Sequence, residues 1–126
     1  MKTLTKPEWA VMSVLWEASP LYLSEIIERM GDRVDWNYNT YSSYLRKLHE
    51  KGHIGFTVQR RDKQYFPITT KSECTQSESR ELLQKIQDNT AKEFLVCMIK
   101  DSKLSREDSE DLKSLLDELI GQGDNE

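Results

Sequence analysis

From Asn37 to Thr69 the chain passes from a helical pattern to a strand pattern with no linker between them, and this junction narrows the fold more than any other feature. Tyr41, Tyr44, Leu45 and Leu48 recur at spacings of three and four, which places them on one face of a helix. Asn37 or Asn39 caps that helix, and Gly52 ends it. Ile54 to Arg60 then alternates with β-favouring side chains, Arg61-Asp62-Lys63 makes a charged turn, and Gln64 to Thr69 returns as the second strand of a hairpin. Pro67 has no N–H to give to a ladder, so it belongs at an edge or at a ladder end in a small sheet of two or three strands.

The residues before Asn37 supply two more helices. Thr5-Lys6-Pro7-Glu8 offers a hydroxyl cap, a first-turn proline and a glutamate at the capping-box position, directly before the apolar set Trp9, Met12, Leu15 and Trp16. A helix over about Lys6 to Ala18 follows, and Ser19-Pro20 stops it. Leu21-Tyr22-Leu23 is a short extended piece, Ser24 caps a second helix that buries Ile26, Ile27 and Met30, and Gly31 closes it. Helix, short strand, helix, helix, hairpin is the order of a winged helix-turn-helix. The expected fold class is mainly α with a small β hairpin: a winged-helix DNA-binding domain over residues 1–70 and a C-terminal helical dimerisation domain over residues 71–126.

Charge divides the chain in the same way. The whole carries a net charge of −4, yet Trp36 to Thr70 holds six basic residues against two acidic ones. Lys71 to Glu126 holds eight basic against fourteen acidic, and a phosphate backbone would repel it. With 126 residues there is room for one compact domain, or a very small domain with an oligomerisation element. No apolar stretch approaches the roughly 20 residues needed to cross a bilayer, and no signal-peptide pattern opens the chain, so the expectation is a cytoplasmic protein without membrane insertion. Cys74 and Cys97 stand apart, with no CxxC and no neighbouring histidine pair; ordinary thiols are expected, with no disulfide, no metal and no cofactor.

The third helix carries the candidate DNA-binding residues. Its apolar face leaves Asn39, Thr40, Ser42, Ser43, Arg46 and Lys47 pointing elsewhere, with Asn37 and Tyr38 at its N-terminal lip. A major groove roughly 12 Å wide admits such a helix, asparagine bonds adenine edges, threonine meets a thymine methyl or a phosphate, and serines permit close approach. Arg46 and Lys47, two turns on, are expected to hold the DNA backbone, as are Arg60, Arg61 and Lys63 on the hairpin. The alternative is a winged helix used only for protein contact. An enzyme is not expected: the two histidines, His49 and His53, are read as solvated or capping groups, Gly52 interrupts any metal-binding spacing between them, and no nucleophile motif occurs.

Beyond Thr70 the pattern is helical throughout. Leu82, Leu83 and Ile86, then Phe94, Leu95 and Met98, then Leu112, Leu115, Leu116 and Leu119 form three apolar faces with little else in that half to pack against, so a homodimer through these residues is expected. Packing back onto the N-terminal domain is the other possibility. Ser105 caps the last helix with Asp108 in the acid position, Gly121 stops it, and Gln122 to Glu126 is read as frayed.

Leu4-Thr-Lys-Pro-Glu-Trp-Ala-Val-Met-Ser-Val-Leu-Trp16, Trp36-Asn-Tyr-Asn-Thr-Tyr-Ser-Ser-Tyr-Leu-Arg-Lys-Leu-His-Glu-Lys-Gly52 and Tyr65-Phe-Pro-Ile resemble the penicillinase repressor family of BlaI-, MecI- and CopY-type winged-helix repressors. The resemblance covers essentially the whole chain. It implies a homodimer on a palindromic double-stranded DNA operator, controlling a resistance or stress-response operon, and a membrane sensor protease that triggers inactivation by a cut aligned with Met98-Ile99. The cysteine-rich tail of the copper-responsive branch has no counterpart in Gly121 to Glu126, which sets copper sensing by that route aside. Asn39 and Ser42 stand where family members often carry early lysine or arginine, so the resemblance implies a different operator sequence.

Overall fold

The computed structural model describes residues 2–86 and 90–124. Its elements are α1 (Lys6–Glu17), β1 (Leu21–Tyr22), α2 (Leu23–Met30), a 3-10 turn (Gly31–Arg33), α3 (Tyr38–Glu50), β2 (Ile54–Gln59), β3 (Asp62–Pro67), α4 (Lys71–Lys85), α5 (Thr90–Asp101) and α6 (Arg106–Asp124). Thr5 caps α1 as its sequence suggests: Thr5 Oγ1 accepts the Glu8 N–H at 3.4 Å, and Glu8 Oε1 accepts the Thr5 N–H at 2.9 Å. α2 starts two residues earlier than expected. Ser24 is not its cap; Tyr22 occupies that place, and the Glu25 carboxylate accepts the Tyr22 N–H at 2.9 Å, so a backward-reaching acid replaces the expected hydroxyl.

α1, α2 and α3 close on one core of Val11, Met12, Leu15, Ile26, Met30, Tyr41, Leu45 and Leu48, joined by Leu21 and Ile54 from the strands. The strands form an antiparallel sheet in the order β1-β3-β2, with Leu21 opposite Tyr65 and Ile54 opposite Pro67. Pro67 is thus the last residue of the central strand, where its missing N–H interrupts nothing. Gly55 sits beneath the Phe66 ring, so close that a Cβ there would lie 2.7 Å from a ring carbon. The hairpin turn is Arg60-Arg61 rather than Arg61-Asp62-Lys63, because Gln59 pairs with Asp62 and only two residues remain to connect the strands.

The first compact unit ends at Leu82, past the expected boundary at Thr70. Side chains from the first half of α4 account for this. Cys74 is buried, its thiol 3.4 Å from Thr69 Oγ1, and Glu78 Oε1 accepts the Leu4 N–H at 3.2 Å. His53 is buried in the same place, not solvated: Nδ1 lies 2.9 Å from Thr69 Oγ1 and Nε2 lies 2.6 Å from the Lys2 carbonyl. A carbonyl only accepts, so Nε2 carries a proton and donates it to Lys2.

The second unit comprises the residues from Leu83 on. α6 runs through Gly121 to Asp124; a single helical glycine costs about 1 kcal/mol and does not by itself end a helix. Ser105 Oγ accepts the Asp108 N–H at 3.0 Å, as expected at its start. The fraying expected from Gln122 is not seen as far as Asp124, and Asn125 and Glu126 lie outside the described residues. Phe94, Leu95, Met98, Leu112, Leu115, Leu116 and Leu119 are exposed, between 38% at Leu112 and 58% at Leu95, and Ile99 is exposed beside Met98. Leu83 is exposed as well, while Leu82 and Ile86 are half-buried.

Candidate nucleic-acid interface

Asn37 settles how α3 begins. Its Oδ1 accepts both the Thr40 N–H at 2.9 Å and the Thr40 hydroxyl at 3.1 Å, so Asn37 is the cap and Asn39 lies inside the helix. The carbonyl oxygen of Asn37 and the hydroxyl of Thr40 are thereby engaged with each other and serve first to hold the helix N-terminus. The C-terminus closes on Gly52 at φ +84°, whose N–H reaches the His49 carbonyl at 3.0 Å.

Between these ends the helix turns its apolar face to the core and a polar face outward. Asn39, Ser42 and Arg46 are exposed and follow one another at spacings of three and four, so they form a single stripe. Tyr38 stands at its head, 65% exposed, within electrostatic range of Tyr65, whose hydroxyl is pushed above its ordinary pKa by burial and further by Tyr38. Ser43 and Thr40 are half-buried at the edge of the stripe. Lys47 lies round the helix from Arg46, its ammonium 5.5 Å from the Tyr44 ring centroid, and Tyr44 in turn packs on Trp36.

The hairpin brings three more cations. Arg60, Arg61 and Lys63 are exposed, with Arg60 at φ +62° in the first position of the two-residue turn. Lys63 Nζ sits 4.5 Å from the Phe56 centroid. His49, three residues after Arg46 on α3, packs its ring on the same phenylalanine, 5.0 Å from Phe56 between centroids. Between α3 and the hairpin lies a cleft of about 230 Å³ lined by Ser42, Leu45, Arg46, His49, Phe56, Lys63 and Tyr65. His49, Phe56 and Tyr65 were not among the sequence candidates. His49 lies seven residues after Ser42 and three after Arg46, a spacing that marks the same helical stripe. Phe56 and Tyr65 carry no such signal, because only the strand register makes them neighbours.

Among the described residues no group of three or more His, Cys, Asp and Glu side chains is placed to hold a metal, and no helix is long and apolar enough to cross a membrane. The arrangement is an exposed polar helix face flanked by cations at both edges, suited to hydrogen bonding along a groove with a polyanion beside it.

Comparisons with known proteins agree with this geometry. The methicillin resistance regulatory protein MecI of Staphylococcus aureus (strain N315) is 22% identical over 113 residues, covering 90% of this chain and 92% of MecI. The penicillinase repressor of Bacillus licheniformis is 24% identical over 115 residues, covering 91% of this chain and 90% of that protein. The solution structure of the DNA-binding domain of the repressor BlaI matches with a TM-score of 0.51 at 26% identity, over 58% of this chain and 93% of that domain. The sequence profile described as Penicillinase repressor spans residues 4–118, from the lead into α1 to well inside α6, and the chain belongs to that family.

Proposed function

We propose that this chain is a DNA-binding transcriptional repressor, with no enzymatic step, that works in the cytoplasm as a homodimer on a palindromic operator. The observation that carries the proposal is the exposed stripe of Asn39, Ser42 and Arg46 on α3, beside a cleft that Ser42 and Arg46 line together with Lys63 of the hairpin. Asn39 and Ser42 read base edges, Tyr38 and Ser43 frame them, and Arg46, Lys47, Arg60, Arg61 and Lys63 hold phosphates. Asn37 and Thr40 contribute chiefly by fixing the helix N-terminus that faces the DNA. The exposed leucines of α6 and the apolar side chains of α5 supply the dimer contact, since a monomer would leave them in water.

By likeness to the family, the regulated genes belong to a resistance or stress-response operon, and release follows a cut at Met98-Ile99 made or triggered by a membrane sensor protease. Both residues are exposed on α5. A mobility-shift titration on duplex from upstream of the chain's own gene tests the central proposal. Binding there should exceed that to random duplex by at least a thousandfold at about 0.15 M salt and weaken steeply as salt rises. Equal affinity for both duplexes would reject it.

A further inference from the structure

The cleft between α3 and the hairpin holds more charge than groove reading requires. Arg46 and Lys63 reach it from opposite walls, His49 adds an imidazole, Ser42 a hydroxyl, and no carboxylate is among the lining residues. The groups that line the cleft with His49 are Arg46 on its own helix, Lys63 and Tyr65 on β3, and the uncharged Phe56 on β2, and Glu50 follows it in sequence. The Phe56 ring holds both His49 and Lys63, the first at 5.0 Å and the second at 4.5 Å between centres, so the two polar heads are fixed on one aromatic support. An oxyanion entering the cleft would favour the charged form of an imidazole beside it.

We propose that this cleft seats one backbone phosphate of the bound DNA, and that His49 completes a three-cation clamp with Arg46 and Lys63 by taking up a proton from solvent as the phosphate enters. The proposal rests on the repressor assignment and adds to it a proton-linked affinity located at one residue. Binding consumes the proton and release returns it, so acid tightens the complex and alkali loosens it. The chain has two histidines, and His53 is buried with both ring nitrogens engaged, so a substitution of His49 removes the one imidazole at the cleft and leaves the other in place.

The test uses the full chain and the upstream duplex at constant ionic strength. Wild-type affinity should fall roughly five- to tenfold for each His49 that engages a phosphate, and so about 25- to 100-fold for a dimer with both clefts filled, from about pH 6 to about pH 8. In H49Q the profile should be flat, with the thermal midpoint of the variant confirming that it folds. The Cε1–H resonance of His49 in the wild-type chain gives a second measurement that needs no variant: its titration midpoint should move up when the duplex is added. An H49Q profile as steep as wild type, or a wild-type resonance whose midpoint the duplex leaves in place, overturns the clamp while leaving the repressor assignment intact. Loss of preference for the upstream duplex at both pH values overturns the assignment itself and the clamp with it.

Discussion

Lys51, just past the end of α3, donates to the carboxylate of Glu8, which is buried in the first turn of α1. The same ammonium donates to the Thr3 carbonyl at 3.1 Å, so one side chain ties α3 to both the N-terminal segment and the first helix. Burial alone would push the Glu8 carboxyl up, but the Lys51 hydrogen bond, the Thr5 bonds and the Lys51 charge hold it below its ordinary 4.5. A depressed carboxyl contributes stability that is fully present above its unfolded value and is lost as pH falls through the folded one. Urea unfolding should therefore show stability declining as pH drops below about 4.5. Lys51→Met should cost about 3 kcal/mol at neutral pH, because the Glu8 charge is left buried without its partner. A cost under 1 kcal/mol would mean that water reaches Glu8.

Asn37 and Asn39 are two residues apart and predict different phenotypes. Asn37→Ala removes the α3 cap and should lower stability by about 1 kcal/mol. Asn39→Ala should leave the melting temperature near wild type and cost about 1–3 kcal/mol of discrimination at one or two base positions, read by comparing operator variants. Stability loss in the second variant and altered base preference in the first would exchange their roles.

Arg60 occupies a left-handed backbone conformation that glycine adopts at no steric cost. Arg60→Gly should raise stability by about 1 kcal/mol while weakening binding to every duplex alike and flattening the salt dependence. Arg61→Ala should show the same loss of binding without the gain in stability. Should either variant change which sequence is preferred, the hairpin tip would be reading bases, not holding phosphates.

Much of the first half was legible because its signals are local. The capping box of Thr5 and Glu8, the spacing of Tyr41, Tyr44, Leu45 and Leu48, and the stop at Gly52 are each fixed by neighbours within a turn or two. What escaped depends on contacts distant in sequence. The turn moved to Arg60-Arg61 because Phe56 pairs with Tyr65 and the register counts back from there. His53 looks like a solvated or capping group and Cys74 like an ordinary thiol until β3 and α4 bring Thr69 within reach of both. The cleft residues His49 and Phe56 meet only through the packing of α3 on the hairpin.

Leu115 and Leu116 are half exposed on α6. Replacing both by Asp should give monomers in sedimentation velocity at micromolar concentration, since each would place a charge in the apolar contact proposed between copies. A variant that remains dimeric would move the contact to another face.

β3 lies between β1 and β2, with Tyr65 opposite Leu21 on one side and Phe56 on the other. The strand that carries the hairpin outward is therefore also the one bolted to the helical core, and α3 packs on that same core. Helix and hairpin then behave as the two jaws of a fixed-gauge caliper: what they grip is set by a distance built in before DNA arrives. A duplex whose groove departs from that gauge has to deform to fit, so the local stiffness of the DNA becomes part of what the protein selects.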